Sequence, residues 1–290
     1  MGLSPLYAEL TTGDATTRLA ADATGPHLVV TDRGIAGWLS SPHAKVGMTE
    51  RGQGHGALPV ADDQVLYSAR TVTVPLHALG GSRDEVIALL ERLSESLGRS
   101  DARLRVVDAM SDTYACGHAA LEVGSDWRET SADATLTLVC PDPRRYGTTP
   151  HKGVMEPPSA AGTGGLTYDS GTLRWPLDWG PQAASRSLCT VANGGTATAY
   201  PTISVSGSMP GGFVLTDLST GGQLAYTQPV AWQPVVLDCL SRTASVAGVD
   251  VTRHLTSRQF PSIAPGGSMT LSLMAAGAGA ASVEARDTYI

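Results

Sequence analysis

Apolar and polar residues alternate along most of the chain, and one segment changes from alternation to helical spacing. Alternating positions over residues 66–76 predict a β-strand. After Gly80 and Gly81 the spacing becomes that of an amphipathic α-helix over residues 82–97. The apolar face of this helix consists of Val86, Leu89, Leu90, Leu93 and Leu97. No other segment has a helical pattern of this quality, so the sequence predicts a mainly β protein with one helix in its N-terminal domain.

The predicted helix has signals at both ends. Ser82 and Glu85 have the spacing of a capping box, in which each side chain satisfies a free backbone N–H of the first turn. Gly98 stands where a glycine just past the last helical residue would stop the helix. We therefore expect the helix to begin after Ser82 and to end before Gly98.

A stretch rich in proline and glycine divides the chain. We predict an N-terminal domain at residues 1–146, a linker at residues 147–165 and a C-terminal domain at residues 166–290. Short strands separated by turn residues predict a β-sandwich in the C-terminal domain. These strands are expected at residues 187–191, 202–206, 213–218, 223–227, 235–240, 244–246 and 269–274.

Composition narrows the classes of function. The charged fraction is 16%, which is low for a free enzyme and favours a surface that neighbouring subunits cover. The net charge of −7 argues against nucleic-acid recognition through a basic surface. No apolar run is long enough to cross a membrane, and the N-terminus lacks the pattern of a signal peptide. We expect no membrane insertion. We also expect all four cysteines (Cys116, Cys140, Cys189 and Cys239) to stay reduced.

The sequence contains no pattern of catalytic residues. The histidines lack the spacing of metal ligands, and no nucleotide-binding loop or nucleophile motif is present. The glycine-rich residues 51–58 are not followed by a helix, which favours a turn around His55 over a phosphate site. The acidic pair Asp62 and Asp63 is expected in a solvated turn. We therefore predict a protein that is not an enzyme and that carries no cofactor and no metal.

Two small groups of residues could bind a ligand or could have a purely structural role. Trp175 and Trp179 could form an aromatic platform for a sugar, or they could pack in the core or at a domain interface. Arg144, Arg145 and Tyr146 could bind an anion, or they could lie in a solvated turn or a subunit contact.

Several motifs in a fixed order resemble those of siphophage distal tail proteins. The N-terminal motifs are residues 51–58 (RGQGHGAL), residues 68–74 (SARTVTV), the capped helix and the junction at residues 137–146 (TLVCPDPRRY). The C-terminal motifs are residues 193–207, residues 237–248 and residues 265–271. The chain departs from the family pattern at Pro75, where a glycine is common, and in having only Phe260 as an aromatic before the turn at Pro265.

The resemblance implies a β-sandwich-type N-terminal belt domain that forms a ring, followed by a galectin-like C-terminal β-sandwich. It also implies a location in the virion at the distal end of the tail, after assembly in the host cytoplasm. There six copies would form a homo-hexameric ring that joins the tail tube protein to the hub of the tip or baseplate, around the end of the tape measure protein. Ring closure of this kind brings two different faces of each subunit together. Open strand edges in residues 1–75 are the expected ring contacts. The alternative function is a carbohydrate-binding module in which the C-terminal sandwich recognises a host-surface glycan.

Overall fold

The fold comes from a computed structural model of the chain. It describes residues 7–20, 25–47, 49–58, 65–98, 101–158 and 186–290. The chain divides into two compact units, Met1–Thr148 with Tyr289–Ile290, and Thr149–Thr288. Both units consist mainly of strands, and the described residues contain a single α-helix. This confirms the prediction of a mainly β protein with one helix.

The first unit contains strands β1–β7, helix α1 and the beginning of β8. Their bounds are β1 Tyr7–Thr12, β2 Ala15–Leu19, β3 His27–Val30, β4 Arg70–Leu79, α1 Arg83–Leu97, β5 Ala102–Asp108, β6 Ser111–Trp127, β7 Ser131–Cys140 and β8 Arg145–Met155. The strand predicted at residues 66–76 therefore begins later, at Arg70, and continues to Leu79.

The sheet of the first unit closes on itself through the long strand β6. Neighbouring strands follow the order β6-β5-β1-β2-β3-β4-β7, and β7 pairs with β6 again. The first part of β6 pairs with β5, with Ser111 opposite Asp108. Its second part pairs with β7, with His118 opposite Val139. A strand of this length can serve two neighbours in succession, so the sheet has few open edges.

Helix α1 contributes to the core of the first unit through one face. Val86, Leu90 and Leu93 are buried, and Leu89 and Leu97 pack against the same core. Burial of each large side chain stabilises the fold by about 1.5–3 kcal/mol. This core also includes alternate residues of β4 and β7, as the two-residue period of those strands requires.

The ends of α1 differ slightly from the predicted caps. The Ser82 hydroxyl accepts a hydrogen bond from the backbone N–H of Glu85, as predicted, at 3.4 Å. The Glu85 carboxylate instead accepts from the N–H of Gly81, one residue before the cap, at 2.7 Å. Gly98 follows the last helical residue but has φ of −75°, so the helix ends without a left-handed glycine.

The second unit contains two antiparallel sheets. The bounds of its strands are β9 Leu188–Ala192, β10 Thr202–Ser208, β11 Phe213–Asp217, β12 Gln223–Tyr226, β13 Val235–Asp238, β14 Thr243–Val246, β15 Val249–Asp250, β16 Leu255–Arg258, β17 Ser268–Ala275 and β18 Ala278–Tyr289. One sheet has the order β15-β14-β13-β10-β18-β8, and the other has the order β16-β12-β11-β17-β9. A single core, from Met155 to Ala285, fills this unit.

Strands β8 and β18 are the longest segments of the second unit that differ from the sequence prediction. Residues 147–155 of the predicted linker belong to β8 in spite of Pro150, which lies beyond the residues that pair with β6, Tyr146 and Gly147. The rest of that linker, apart from residues 156–158, lies outside the described residues. The last strand, β18, has no predicted counterpart because its first half is rich in alanine and glycine, which are weak strand formers.

Candidate functional site

The connection between β3 and β4 is long, and the described residues of its second part do not belong to the core of the first unit. We call residues 43–68 the arm. Its two limbs run antiparallel and are joined by isolated bridges, Ala44 with Tyr67 and Glu50 with Ala57. The bridging hydrogen bonds include Ser68 N–H to His43 O at 2.8 Å, Leu58 N–H to Thr49 O at 2.9 Å and Arg51 N–H to Gly56 O at 3.0 Å. The described residues of the arm therefore have a hairpin-like arrangement.

The described residues of the arm are exposed or half-buried, and none belongs to either hydrophobic core. Two leucines of the arm lie largely in solvent, Leu58 at 57% and Leu66 at 67% exposure. Glycines Gly54 and Gly56 turn the chain at the tip with φ of 104° and 80°. His55 lies in this exposed turn, as the sequence predicted. The described part of the arm thus exposes two leucines and packs against neither hydrophobic core.

The base of the arm is fixed by the buried side chain of Arg70, the first residue of β4. Its Nη1 donates to three backbone carbonyls, of Gly37 at 2.7 Å, Ser40 at 2.8 Å and Trp38 at 3.0 Å. Its Nε donates to the carbonyl of Pro143 at 2.8 Å. One guanidinium therefore ties the segment that leads into the arm to the turn that follows β7.

Gly37 allows the segment before the arm to lie against β4. The bridge of Ala36 to Thr73 brings the two backbones together. A Cβ atom on Gly37 would lie 2.1 Å from the carbonyl oxygen of Thr71, and φ of 78° also favours glycine there. The adjacent Trp38 is buried, with 3% exposure, and belongs to the core of the first unit. The segment before the arm is thus packed against β4.

The turn between β7 and β8 is organised by Asp142. Its carboxylate accepts from the backbone N–H of Arg144 at 3.1 Å and also from the Tyr146 hydroxyl. Burial and the Asp142 hydrogen bond raise the pKa of Tyr146 above its usual range, so this hydroxyl remains a donor at neutral pH. The expectation of a solvated turn at Arg144, Arg145 and Tyr146 is wrong for Arg145, which has 9% exposure.

The outer face of the sheet carries an ion-pair network around Arg105. Its guanidinium donates to Asp112 through two nitrogens, both at 2.8 Å, and to Glu9 at 2.8 Å. The hydrogen bonds from Arg105 lower the pKa of Asp112, and the hydrogen bond to Asp112 raises the pKa of Arg105. This network links three neighbouring strands, β1, β5 and β6, on the surface of the closed sheet.

Most strand edges expected to form ring contacts are already occupied. Strand β1 pairs with β2 and β5, and β4 pairs with β7 and β3. Strand β2 pairs with β3 through only Leu19 and Leu28, so much of its second edge is open among the described strands. Among the described residues of 1–75, open backbone therefore lies on the facing edges of β2 and β3 beyond the Leu19–Leu28 contact, and in the arm.

In the second unit a buried asparagine takes the structural role that Arg70 has in the first. Asn193, with 1% exposure, donates from Nδ2 to the carbonyls of Ala197 and Ala264 at 2.8 and 3.2 Å. Its Oδ1 accepts from the backbone N–H groups of Gly195 and Thr288 at 3.0 and 3.2 Å. The side chain thus holds the turn after β9 against the end of β18.

The residues proposed for sugar binding, Trp175 and Trp179, lie outside the described residues, as do Asp62 and Asp63. Within the described part of the second unit, Trp232 is the tryptophan at the surface, and it is fully exposed. It lines a cavity of about 420 Å³ with Gly207, Ser208 and Ala231. No sequence pattern distinguished Trp232, because it stands alone between Pro229 and the strand at Val235.

Chemistry at the remaining reactive groups is limited. The four cysteines are free, and Cys140, Cys189 and Cys239 are buried. Burial raises the pKa of Cys140 to about 11 and that of Cys239 to about 12, which keeps both thiols protonated at neutral pH. In the ranges that the structure describes, no group of three or more His, Cys, Asp or Glu residues could hold a metal ion. Among the same residues no helix is long and apolar enough to cross a membrane.

In the described residues, a closed sheet with one helix is followed by a unit of two sheets, so the protein belongs to the mainly β class. Comparison with solved structures shows which known proteins share this fold. No protein-family model matches the chain, and no curated protein matches it. The Dit protein (gp 19.1) of SPP1 is similar in structure over 98% of this chain and 99% of that chain, with 15% identity and a TM-score of 0.60. That protein is described as a paradigm of the hub adsorption apparatus in phages that infect Gram-positive bacteria.

Chains of the phage P2 baseplate are similar as well. The activated conformation with Ca matches over 98% of both chains, with 9% identity and a TM-score of 0.53. The activated conformation with Sr matches over the same shares, with 9% identity and a TM-score of 0.51. The chain therefore has the fold of the SPP1 Dit protein and of these baseplate chains, which agrees with the motifs that resemble distal tail proteins. These neighbours do not favour the carbohydrate-binding alternative.

Proposed function

We propose that this protein is a structural component of a phage tail tip, a distal tail protein that forms a ring and joins the tail tube to the hub. In this role it acts in the virion, at the distal end of the tail. The observation that carries the proposal is the fold shared with SPP1 Dit over nearly the full length of both chains. The motifs that resemble those of distal tail proteins support it independently, because they are a property of the sequence alone.

The arm supplies the contact for ring assembly in this proposal. It is ordered and anchored by Arg70, yet its leucines Leu58 and Leu66 lie in solvent. Docking of the arm on the next subunit would cover both side chains. An arm that contacts a different surface on the neighbour makes a heterologous interface, and such interfaces close into rings when the rotation between subunits permits it.

The surface that receives the arm is proposed to include the open edge of β2. An exposed backbone edge can accept an extended segment of another chain through main-chain hydrogen bonds. Six copies in a homo-hexameric ring, with the tail tube, hub and tape measure proteins as partners, complete the proposal. The first unit would then form the belt, and the second unit would be the galectin-like β-sandwich.

Native mass spectrometry of the full chain across a range of concentrations tests the ring. The proposal expects a mass six times that of the monomer at high concentration. The double variant Leu58→Asp with Leu66→Asp places two charges on the exposed arm and should remain monomeric. Both leucines are largely in solvent, so each substitution should change the free energy of unfolding by less than about 0.5 kcal/mol.

Leu218→Asp in the second unit is the matched control. Leu218 is 53% exposed, much like Leu58, but lies far from the arm in sequence, between β11 and β12. It should assemble like the unaltered protein. If the arm variant and the control assemble equally well, the arm does not make the ring contact. If the unaltered chain stays monomeric even when mixed with purified tail tubes, the ring itself is contradicted.

A further inference from the structure

Two arginines lie buried next to each other at one end of the closed sheet. Arg70 begins β4 with 2% exposure, opposite Cys140 at the end of β7, and Arg145 begins β8 with 9% exposure. Because Tyr146 contacts Tyr114 on the opposite face of β8, the alternation of the strand directs Arg145 away from that face. The sheet therefore encloses two positive charges in one region.

No carboxylate among the described residues balances these charges. Burial lowers the pKa of Arg70, and the neighbouring charge of Arg145 lowers it further. Burial also lowers the pKa of Arg145, and the group that counteracts this is the Tyr289 hydroxyl rather than an acid. Burying a charge without a counter-charge is expensive, so a pair of guanidinium groups in this position needs a further source of stabilisation.

Three buried N–H donors in the same region have no hydrogen-bond acceptor among the described residues. They are Nη2 of Arg70, Nε of Arg145 and Nε1 of Trp38. Trp38 connects them, because its carbonyl accepts from Arg70 Nη1 at 3.0 Å and its ring lies 5.6 Å from the guanidinium carbon of Arg145. The Tyr289 ring lies 5.9 Å from the same carbon. Buried donors are almost always satisfied in folded proteins, so three in one cluster indicate a missing acceptor.

We propose that this cluster binds a small inorganic anion of the size of chloride between Trp38, Arg70 and Arg145. An anion accepts hydrogen bonds from all three donors and also neutralises one of the two buried charges. A water molecule would satisfy donors but would leave the charge unbalanced. A spherical ion suits donors that come from three separate side chains. A planar carboxylate prefers the two parallel N–H groups of a single guanidinium.

The bound anion stabilises the base of the arm together with the start of β8. We call Arg70 and the backbone carbonyls that it holds at the base of the arm the clamp, and Trp38 supplies one of these carbonyls. Arg145 belongs to β8, the strand that leaves the first unit. The anion contributes to folding as any ligand that binds only the folded state does. Its stabilisation grows with the logarithm of its concentration above the dissociation constant. This inference does not depend on the proposed role in a tail.

Thermal unfolding of the full chain in sodium chloride tests the proposal. Ionic strength is held constant with sodium gluconate, whose anion is much larger than chloride. The melting temperature should rise with chloride by about 3 °C for each tenfold increase above the dissociation constant. The same scan of Arg145→Gln should lose this dependence. Arg103→Gln is the matched control, since Arg103 is an exposed arginine that stacks on Tyr114 at 3.7 Å, and it should keep the dependence.

Anomalous diffraction from crystals grown in bromide provides a measurement that needs no variant. The proposal expects a bromide peak within hydrogen-bond distance of Trp38 Nε1 and of both guanidinium groups. Bromide peaks confined to the protein surface would overturn it, as would a melting temperature that does not respond to exchange of gluconate for chloride. Retention of the chloride dependence by Arg145→Gln would also overturn it.

Discussion

The closed sheet and the arm of the first unit are stabilised in different ways. In the sheet, alternate residues of β4 such as Val72, Val74 and Leu76 are fully buried, so the apolar pattern and the core determine each other. In the arm, no described residue is buried, and order depends on a few backbone hydrogen bonds and on the clamp at its base. The described part of the arm has no core of its own, so its position depends on the contacts at its base.

Among the substitutions that test this comparison, one in the clamp should change the free energy of unfolding most. Arg70→Met should reduce the free energy of unfolding by about 3 kcal/mol, because it leaves buried carbonyls without a donor. Urea denaturation measures the loss. The control is Arg103→Met at the surface, which should cost less than about 1 kcal/mol. Equal losses for both variants would show that the clamp does not stabilise the fold.

A pair of glycines distinguishes the base of the arm from its tip. Gly37→Ala should cost about 2–3 kcal/mol, because the new Cβ meets the Thr71 carbonyl at 2.1 Å and φ is positive. Gly54→Ala has equally unfavourable φ, but no atom lies within 4 Å of the new Cβ. It should cost about 1 kcal/mol of local strain and leave the urea midpoint of the sheet nearly unchanged. A lower midpoint for Gly54→Ala than for Gly37→Ala would contradict the assignment of rigidity to the base.

The helix cap tests how much local sequence contributes within the sheet unit. Ser82→Ala removes the acceptor for the Glu85 N–H and should lower the free energy of unfolding by about 0.5–1 kcal/mol. The contact is long, at 3.4 Å, which places the expected loss at the low end of the range for N-caps. Ser96→Ala in the last turn is a suitable comparison. A cap variant indistinguishable from it in thermal unfolding would mean that the core alone fixes the start of the helix.

The smallest expected effect is the pH dependence due to Asp112. Its pKa is lowered in the folded state, so its contribution is present above the unfolded value of about 3.9 and is lost as the pH falls through the folded value. Asp112→Asn should therefore flatten the acid side of the stability profile. The carboxylate is 37% exposed, which limits the effect to less than about 1 kcal/mol. An unchanged profile between pH 5 and pH 2, measured by urea denaturation, would contradict this assignment.

Elements with a clear period could be predicted from the sequence, and elements fixed by long-range contacts could not. The helix was predicted within one residue, because both its apolar face and its N-cap are local. Strand β18 has few β-branched residues at its start, and its place between β10 and β8 depends on partners distant in sequence. Strand β8 contains Pro150, which made its sequence resemble a linker.

Arg70 of the clamp and Asn193 of the second unit illustrate why the candidate site was only partly predictable. Arg70 and Asn193 both lie in motifs that resemble distal tail proteins, yet nothing local distinguishes a buried arginine or asparagine from one in solvent. Their roles depend on carbonyls up to 73 residues away, such as that of Pro143 for Arg70. The turn at residues 51–58, in contrast, was predicted correctly because glycine spacing is a local signal.

Amide hydrogen exchange of the arm, above and below the concentration at which the protein assembles, tests the central claim most directly. In the monomer, the described arm residues should exchange faster than β4 and β7, since only some of their N–H groups are hydrogen bonded and none of the residues is buried. In the assembly, the account predicts strong protection of residues 49–58 and 65–68 with little change in β4 and β7. An arm that exchanges equally fast in both states would contradict the claim that it forms the contact between subunits.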